Sequence, residues 1–420
     1  MNAEDSEEHI MSTATAATLA TTDRADSYAR KALVAAAVGY AMDGFDLLIL
    51  GFMMSAIVAD LHLSQTAGAS LATWTLVGAV AGGILFGALS DYFGRVKVLT
   101  WTILLFAVFT GLCALAQGYW DLVTYRAIAG LGLGGEFGIG MALAAEAWPA
   151  SKRARVSSYV GLGWQAGVLA AALITPMLLP LIGWRGMFAL GIVPAVVSFI
   201  VRRAVGEPEI FLAHQKAARR GLPLRLLVKD WPTTKISLGM LILCAVQNFG
   251  YYGVMIWLPN YLASQFHYSI TKSAVWVAVT ILGMAVGIWL FGQLADRIGR
   301  RPVFFAFQAG AMIMVIVYSQ LTGETALLIG GAVMGLFVNG MLGGYGALMS
   351  ELYPTEARAT AQNVLFNLGR AVGGFGPLVI GILREQYSFT TAIALLAVIY
   401  AVDIVATAFL IPERKGAPLE

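Results

Sequence analysis

The sequence predicts an all-α membrane protein with twelve transmembrane helices arranged as two pseudo-symmetric six-helix bundles. Three observations carry that expectation. The 420 residues are 59% hydrophobic and 12% charged, which is about half the roughly 25% charge of an ordinary globular chain. Twelve runs stay apolar for about the ~20 residues that a helix needs to cross a bilayer. Two charged motifs also recur at one constant displacement, the mark of a duplicated unit.

Composition removes several function classes. A chain this apolar is not a soluble enzyme. A net charge of +3 from 27 basic and 24 acidic side chains offers no basic surface for nucleic acid. Cys113 and Cys244 fall inside apolar runs and the four histidines are scattered, so neither a disulfide framework nor a metal site or other cofactor is expected.

Taken in order, residues 1–31 are polar and open on acids, without the basic start and apolar centre of a signal peptide. They are expected to form a flexible cytoplasmic tail. The apolar runs follow near 32–58, 68–90, 97–116, 119–146, 156–179, 186–203, 234–258, 271–294, 302–321, 325–351, 359–383 and 389–411. They divide into an amino-terminal half, 32–203, and a carboxy-terminal half, 234–411. The connection 204–233 carries Glu207-Pro208-Glu209 and a basic stretch through Arg219-Arg220, and reads as an inter-half linker; 412–420 is a short tail. With both termini cytoplasmic, 22 of the 27 Lys and Arg lie on the cytoplasmic side, three (Arg185, Lys272, Arg384) lie opposite, and Arg126 and Arg370 lie within spans. The positive-inside rule then sets the orientation in an inner membrane.

The repeat is explicit. Gly87-Ala88-Leu89-Ser90-Asp91-Tyr92-Phe93-Gly94-Arg95, after span two, aligns with Gly292-Gln293-Leu294-Ala295-Asp296-Arg297-Ile298-Gly299-Arg300, after span eight, at a displacement of 205. Glu146, Pro149 and Arg153 after span four fall on Glu351, Pro354 and Arg358 after span ten, again at 205. Parallel six-span halves of this kind suit a transporter with its site between them. Glycines where helix ends approach, and acids beside bases, suit a latch that forms and releases. That role is expected of Gly87, Asp91, Gly94, Arg95, Glu146 and Arg153, and of Asp296, Gly299, Arg300, Glu351 and Arg358. A turn that never moves is the other reading.

These motifs carry a resemblance. The Gly-x-Leu-Ser-Asp-x-x-Gly-Arg segment resembles the loop signature of the major facilitator superfamily, and Arg126-x-x-x-Gly130-x-Gly132 resembles that superfamily's motif associated with proton coupling. Asp43-Gly44-Phe45-Asp46 is similar to the signature of the aromatic acid:proton symporters; Glu146-Ala147-Trp148-Pro149 and Gly183-Trp184-Arg185 are similar to the sialate and monocarboxylate symporter branch. The superfamily resemblance covers about residues 30 to 412. It implies a proton-coupled importer of a small organic carboxylate, an aromatic acid first, then a short monocarboxylate or sialic acid. The partners are the anion, protons and the lipid bilayer, and a twelve-span bundle suffices as a monomer. A sugar or drug transporter of the same fold is the alternative.

An ionisable group inside a span costs several kcal/mol and faces a cavity or a partner. Asp43 and Asp46 stand three apart in span one, so their carboxylates share a face and repel when both are ionised. They form a candidate proton site, or one of them ties a neighbouring helix. Arg126 and Glu136 in span four are ten residues apart, about 15 Å along a helix, so each finds its partner elsewhere. Glu136 is a coupling candidate; Arg126 either snorkels to the interface or joins proton coupling as the resemblance implies.

Asn363, Asn367 and Arg370 form one stripe of span eleven. Arginine holds a carboxylate with two parallel hydrogen bonds, so Arg370 is the candidate anion binder, with Asn363 and Asn367 beside it. A packing salt bridge from Arg370 to Asp403 is the competing reading. Gln247, Asn248, Tyr251 and Tyr252 in span seven, Tyr40 in span one, and Trp164 and Gln165 in span five complete a candidate polar and aromatic cavity.

Overall fold

The computed structural model describes residues 3–194, 196, 200, 205–218, 223–266, 270–417 and 419. Among these, all regular structure is helical. The first half holds α1 (Ala3–Asp60), α2 (Gln65–Phe93), α3 (Arg95–Leu112), α4 (Tyr119–Ala147) and α5 (Arg153–Leu190). The linker carries α6 (Glu209–Ala218) and α7 (Pro223–Leu226). The second half follows as α8 (Trp231–Phe266), α9 (Ile270–Ile298), α10 (Arg300–Gln320), α11 (Glu324–Gly340), α12 (Leu342–Leu352), α13 (Arg358–Gly373), α14 (Gly376–Gln386), α15 (Phe389–Ala394) and α16 (Leu396–Leu410).

Eleven helical stretches among the described residues are long and apolar enough to cross a membrane. Spans ten, eleven and twelve are each made of two helices meeting at a short break: α11 and α12, α13 and α14, α15 and α16. The expected span six, 186–203, lies partly outside the described residues; its start is visible where Gly183, at φ 65° and ψ 175°, breaks α5. A positive φ is free for glycine and strained for other residues, so Gly183 makes the turn between spans five and six. The amino-terminal segment carries helical backbone from Ala3 onward, continuous with span one. No glycine or proline interrupts it before Gly39, and its alanines and glutamates favour helix.

Packing follows the duplication. In the first half α2 lies against α4 and α1 against α5; in the second, α9 lies against α11. A Cβ on Gly82 of α2 would collide with the Leu131 carbonyl of α4, and one on Gly287 of α9 with the Leu336 carbonyl of α11. Both partners of this contact are displaced by 205. Small residues at such crossings let backbones touch, which drives helix association in lipid where no hydrophobic force operates. Between the halves, α13 packs on α2 and α4 while α9 and α12 pack on α5. The central site is framed by these crossings.

Candidate functional site

The loops after α2 and α9 build two related clusters of ion pairs, the candidate latches, at the end of the bundle that carries the linker. In the first, Arg95 pairs with Asp91 at 3.0 Å and with Glu146 at 2.9 Å, and Arg358 of the second half reaches Glu146 at 2.7 Å. Asp91 accepts from the Thr360 N–H at 2.8 Å and hydroxyl at 2.6 Å, and from the Ala359 N–H at 3.3 Å, so it caps the start of α13. A carboxylate at a helix N-terminus satisfies orphan N–H groups and the helix dipole together. The second latch repeats this at the start of α5. Asp296 accepts from the Ala154 and Arg155 N–H groups, both at 3.1 Å. Arg300 pairs with Asp296 at 3.2 Å and Glu351 at 2.8 Å, and Arg153 approaches Glu351 at 3.7 Å. Arg95 donates to the Thr355 carbonyl at 2.7 Å and Arg300 to the Ala150 carbonyl at 3.3 Å. Every one of these contacts maps onto its counterpart at 205. Gly94 at φ 114° and Gly299 at φ 110° make the break between consecutive helices, which the sequence motif places there.

Two further acids brace the latches. Glu207 accepts from the N–H groups of Arg95, Val96 and Lys97 at 2.7, 3.2 and 2.9 Å, and Glu413 accepts from those of Arg300 and Arg301 at 3.3 and 2.8 Å. Burial raises the Glu207 carboxyl above the ordinary carboxylate range, and the three N–H groups pull against that rise. The tie between Glu207 and α3 fastens the linker to the first half.

At mid-depth a cleft between the halves is lined by side chains of both. Arg370 of α13 stands at its wall with the guanidinium carbon 5.3 Å from the Trp164 ring centroid and 5.4 Å from that of Phe366. Its acidic neighbour is Asp43 of α1, at 3.7 Å across the gap between the halves. Arg370 Nε and Nη1 and both Asp43 oxygens have no hydrogen-bond partner among the described residues. The contact is a loose ion pair, not a bidentate bond, and it leaves the fork open. Tyr40 packs at 5.3 Å on both Phe137 and Trp164, and Phe137 stacks on Phe366 at 3.8 Å, so aromatic rings from both halves form the floor. Trp164 donates to the Tyr251 hydroxyl at 3.3 Å, and Gln247, Asn248 and Tyr252 complete the α8 wall.

The first-half charges separate into distinct environments. Asp46 does not share a site with Asp43: it pairs with Arg126 at 2.9 Å and accepts from Thr110 at 2.7 Å, inside the first bundle. Residues three apart on a helix differ by about 60° in direction, enough to address different neighbours. Arg126 is fully buried, which removes snorkelling, and its Nε donates to Thr75 at 3.2 Å. Glu136 accepts from Thr102 at 3.0 Å and lies against Gly39 of α1. Gly39 is four residues before Asp43, so Glu136 sits about 6 Å from the Asp43 level, on the linker side.

The matches to known proteins agree with this architecture. The sequence matches the Major Facilitator Superfamily over residues 36–294 and, in a second overlapping match, 241–420. The chain belongs to the Major Facilitator Superfamily. Within the superfamily it is 66% identical over 406 residues to a Haemophilus influenzae protein provisionally named as a metabolite transport protein, covering 95% of this chain and 100% of that one. It is 30% identical to a protein of Cupriavidus pinatubonensis named as a probable 4-methylmuconolactone transporter, over 91% of this chain and 90% of the relative. The solved structure of a superfamily proton:xylose symporter bound to 6-bromo-6-deoxy-D-glucose superposes with a TM-score of 0.78, covering 94% of this chain and 98% of that one at 18% identity. At that identity the likeness is one of fold. The protein is therefore a multi-pass membrane transporter of a small molecule, not an enzyme.

Against this superfamily frame the sequence-derived residues sort clearly. Tyr40, Trp164, Gln247, Asn248, Tyr251, Tyr252 and Arg370 meet at the cavity. Asn363 and Asn367 do not line it: Asn363 accepts from the Gly138 N–H at 2.7 Å and Asn367 donates to the Gly134 carbonyl at 2.8 Å, tying α13 to α4. Gln165 is buried without a hydrogen-bond partner among the described residues and also stands off the cavity. Arg370 meets Asp43, not Asp403. The sequence reading missed Asn339, Leu342 and Phe366 at the cavity and the helix-capping acids Glu207 and Glu413. For Glu207 the signal was present in Glu207-Pro208-Glu209 at the end of the first half.

Proposed function

We propose that this transporter is a proton-coupled importer of a small organic carboxylate. The supporting observation is Arg370, an arginine at the wall of a mid-membrane cavity with its fork open and a single loose acidic neighbour, Asp43. A buried guanidinium in lipid needs an anion, and a carboxylate fits its two parallel donors. Asp43 is the resident anion, and the substrate competes with it. Protonation of Asp43 removes the competing charge and frees Arg370 for the incoming carboxylate. Proton and substrate then bind together.

The linker-side latches are closed in this structure, so loading takes place from the opposite face. With the termini and linker in the cytoplasm, as the positive-inside count supports, that face is the periplasmic side of an inner membrane. The halves 32–203 and 234–411 rock about the cavity as single units, the latches open, and a less acidic cytoplasm takes the proton. Glu136, one turn towards the linker side of Asp43, is placed to receive it on the way. An interior-negative potential favours inward movement of each uncompensated positive charge by about 2.3 kcal/mol per 100 mV, so protons beyond those that neutralise the carboxylate add to the driving force. Asp46 and Arg126 hold α1 to α4 near the outer end and keep Asp43 in register. A monomer suffices, because both walls of the site come from one chain.

The aromatic floor favours aromatic acids, and a relative named for 4-methylmuconolactone is in keeping with organic acids of similar size. Exchange in proteoliposomes tests the class: benzoate-like acids, lactate and sialic acid on one side, neutral sugars on the other. At least one acid is expected to drive counterflow. Counterflow driven by neutral sugars alone would replace this reading with the sugar transporter of the same fold.

A further inference from the structure

Two amide side chains at the cavity leave hydrogen-bonding capacity that no group among the described residues uses. Gln247 of α8 donates from Nε2 to Asn339 Oδ1 of α11 at 2.5 Å. Gln247 Oε1 and Asn339 Nδ2 have no partner among the described residues, although the two side chains are only 2% and 1% exposed. An unsatisfied buried polar group is destabilising, and more is at stake where lipid surrounds the bundle. Turning both amides over gives the same result. The bond between them uses one amide nitrogen and one amide oxygen, and one oxygen and one nitrogen remain without a partner among the described residues.

Position decides what that capacity is for. Both residues line the same cavity as Arg370. On the neighbouring helix, Cys244 packs on Gly369 and Asn248 on Gly373, so Gln247 lies level with residue 372, about 3 Å in depth from Arg370. The guanidinium and the amide pair therefore stand at nearly one depth on different walls, with rings of Tyr40, Trp164 and Tyr251 around the space. A ligand lying across the bundle axis touches both.

Resting on the carboxylate reading of Arg370, we infer that Gln247 and Asn339 form a second, specificity-determining subsite. It takes a group that accepts one hydrogen bond and donates another, such as a hydroxyl or a primary amide, carried on the substrate away from its carboxylate. The transported molecule is two-headed. The anion sits on Arg370, an apolar or aromatic body lies against the rings, and the polar head completes the amide pair. A ligand whose second head is a methyl group leaves the pair unsatisfied and is rejected.

Isothermal titration of the purified full-length protein tests this with matched probes: 3- and 4-hydroxybenzoate against 3- and 4-methylbenzoate, and lactate against propionate. At least one hydroxy acid is expected to bind tenfold or more tightly than its unhydroxylated match. In Asn339→Leu, and independently in Gln247→Leu, that ratio is expected to fall below about threefold. Acids that bind with no hydroxyl advantage in any pair overturn the subsite while the carboxylate reading stands. An advantage that survives in both variants also overturns it. If none of these acids binds, the carboxylate reading itself fails and the subsite falls with it.

Discussion

Arg370→Lys is expected to lower carboxylate uptake at least about 30-fold, and Arg370→Ala to lower it further. Truncating one partner of a buried, hydrogen-bonded charge pair, here Arg370 and the bound substrate carboxylate, costs about 2–5 kcal/mol, and each 1.4 kcal/mol is tenfold. Lysine keeps the positive charge, so it still balances Asp43 and the protein still folds. What it loses is the planar fork: Nε and the Nη groups of Arg370 present parallel donors to one carboxylate, whereas an ammonium offers a single point of contact. The rings of Trp164 and Phe366, near the guanidinium at 5.3 and 5.4 Å, also favour the flat cation over the compact one. Initial-rate uptake in cells with matched membrane expression reads the effect. Near-normal uptake by the lysine variant would remove Arg370 from the site.

The second large effect concerns the other buried pair. Arg126→Ala is expected to destabilise the protein by about 3–5 kcal/mol, because it leaves Asp46 as an uncompensated charge inside the first bundle. Asp46 and Arg126 are 4% and 0% exposed and meet at 2.9 Å, so water does not screen the loss. The double variant Asp46→Asn with Arg126→Gln removes both charges and is expected to recover much of that stability, since replacing a whole buried pair is far less costly than breaking it. Melting of the detergent-solubilised protein distinguishes these cases. A double variant no more stable than Arg126→Ala would show that the arginine holds the fold through Thr75 and Phe188 instead.

The ion-pair clusters after α2 and α9 were legible in the sequence because their charges lie at span ends, where lipid does not explain them, and because both motifs share one displacement. The structure then extends the same displacement to the partners: Asp91 to 359 and 360, Asp296 to 154 and 155. Arg370 and its aromatic surroundings were legible for a related reason, since an arginine inside an apolar run demands a polar destination. The Asn363–Asn367–Arg370 stripe shows where that logic stops. Helical periodicity says that three residues share a face, but α13 is long enough for that face to meet α4 at one level and open onto the cavity at the next. Asn339 was invisible for the opposite reason. It is a lone amide in an apolar run, and its meaning comes from Gln247, 92 residues away. Asp43 and Asp46 stand three apart in sequence but do not face one neighbour, because three residues of helix turn their carboxylates towards Arg370 and Arg126 respectively.

The central claim is that proton and carboxylate move together through exchange at Arg370 and Asp43. Proteoliposomes loaded at neutral pH and diluted into acidic medium, with and without a protonophore, test it most directly, using an acid that drives counterflow. Accumulation of the labelled acid is expected to rise with the inward proton gradient and collapse with the protonophore. In Asp43→Asn it is expected to be lost while exchange persists. Uptake that ignores the gradient in the wild-type protein would contradict the account.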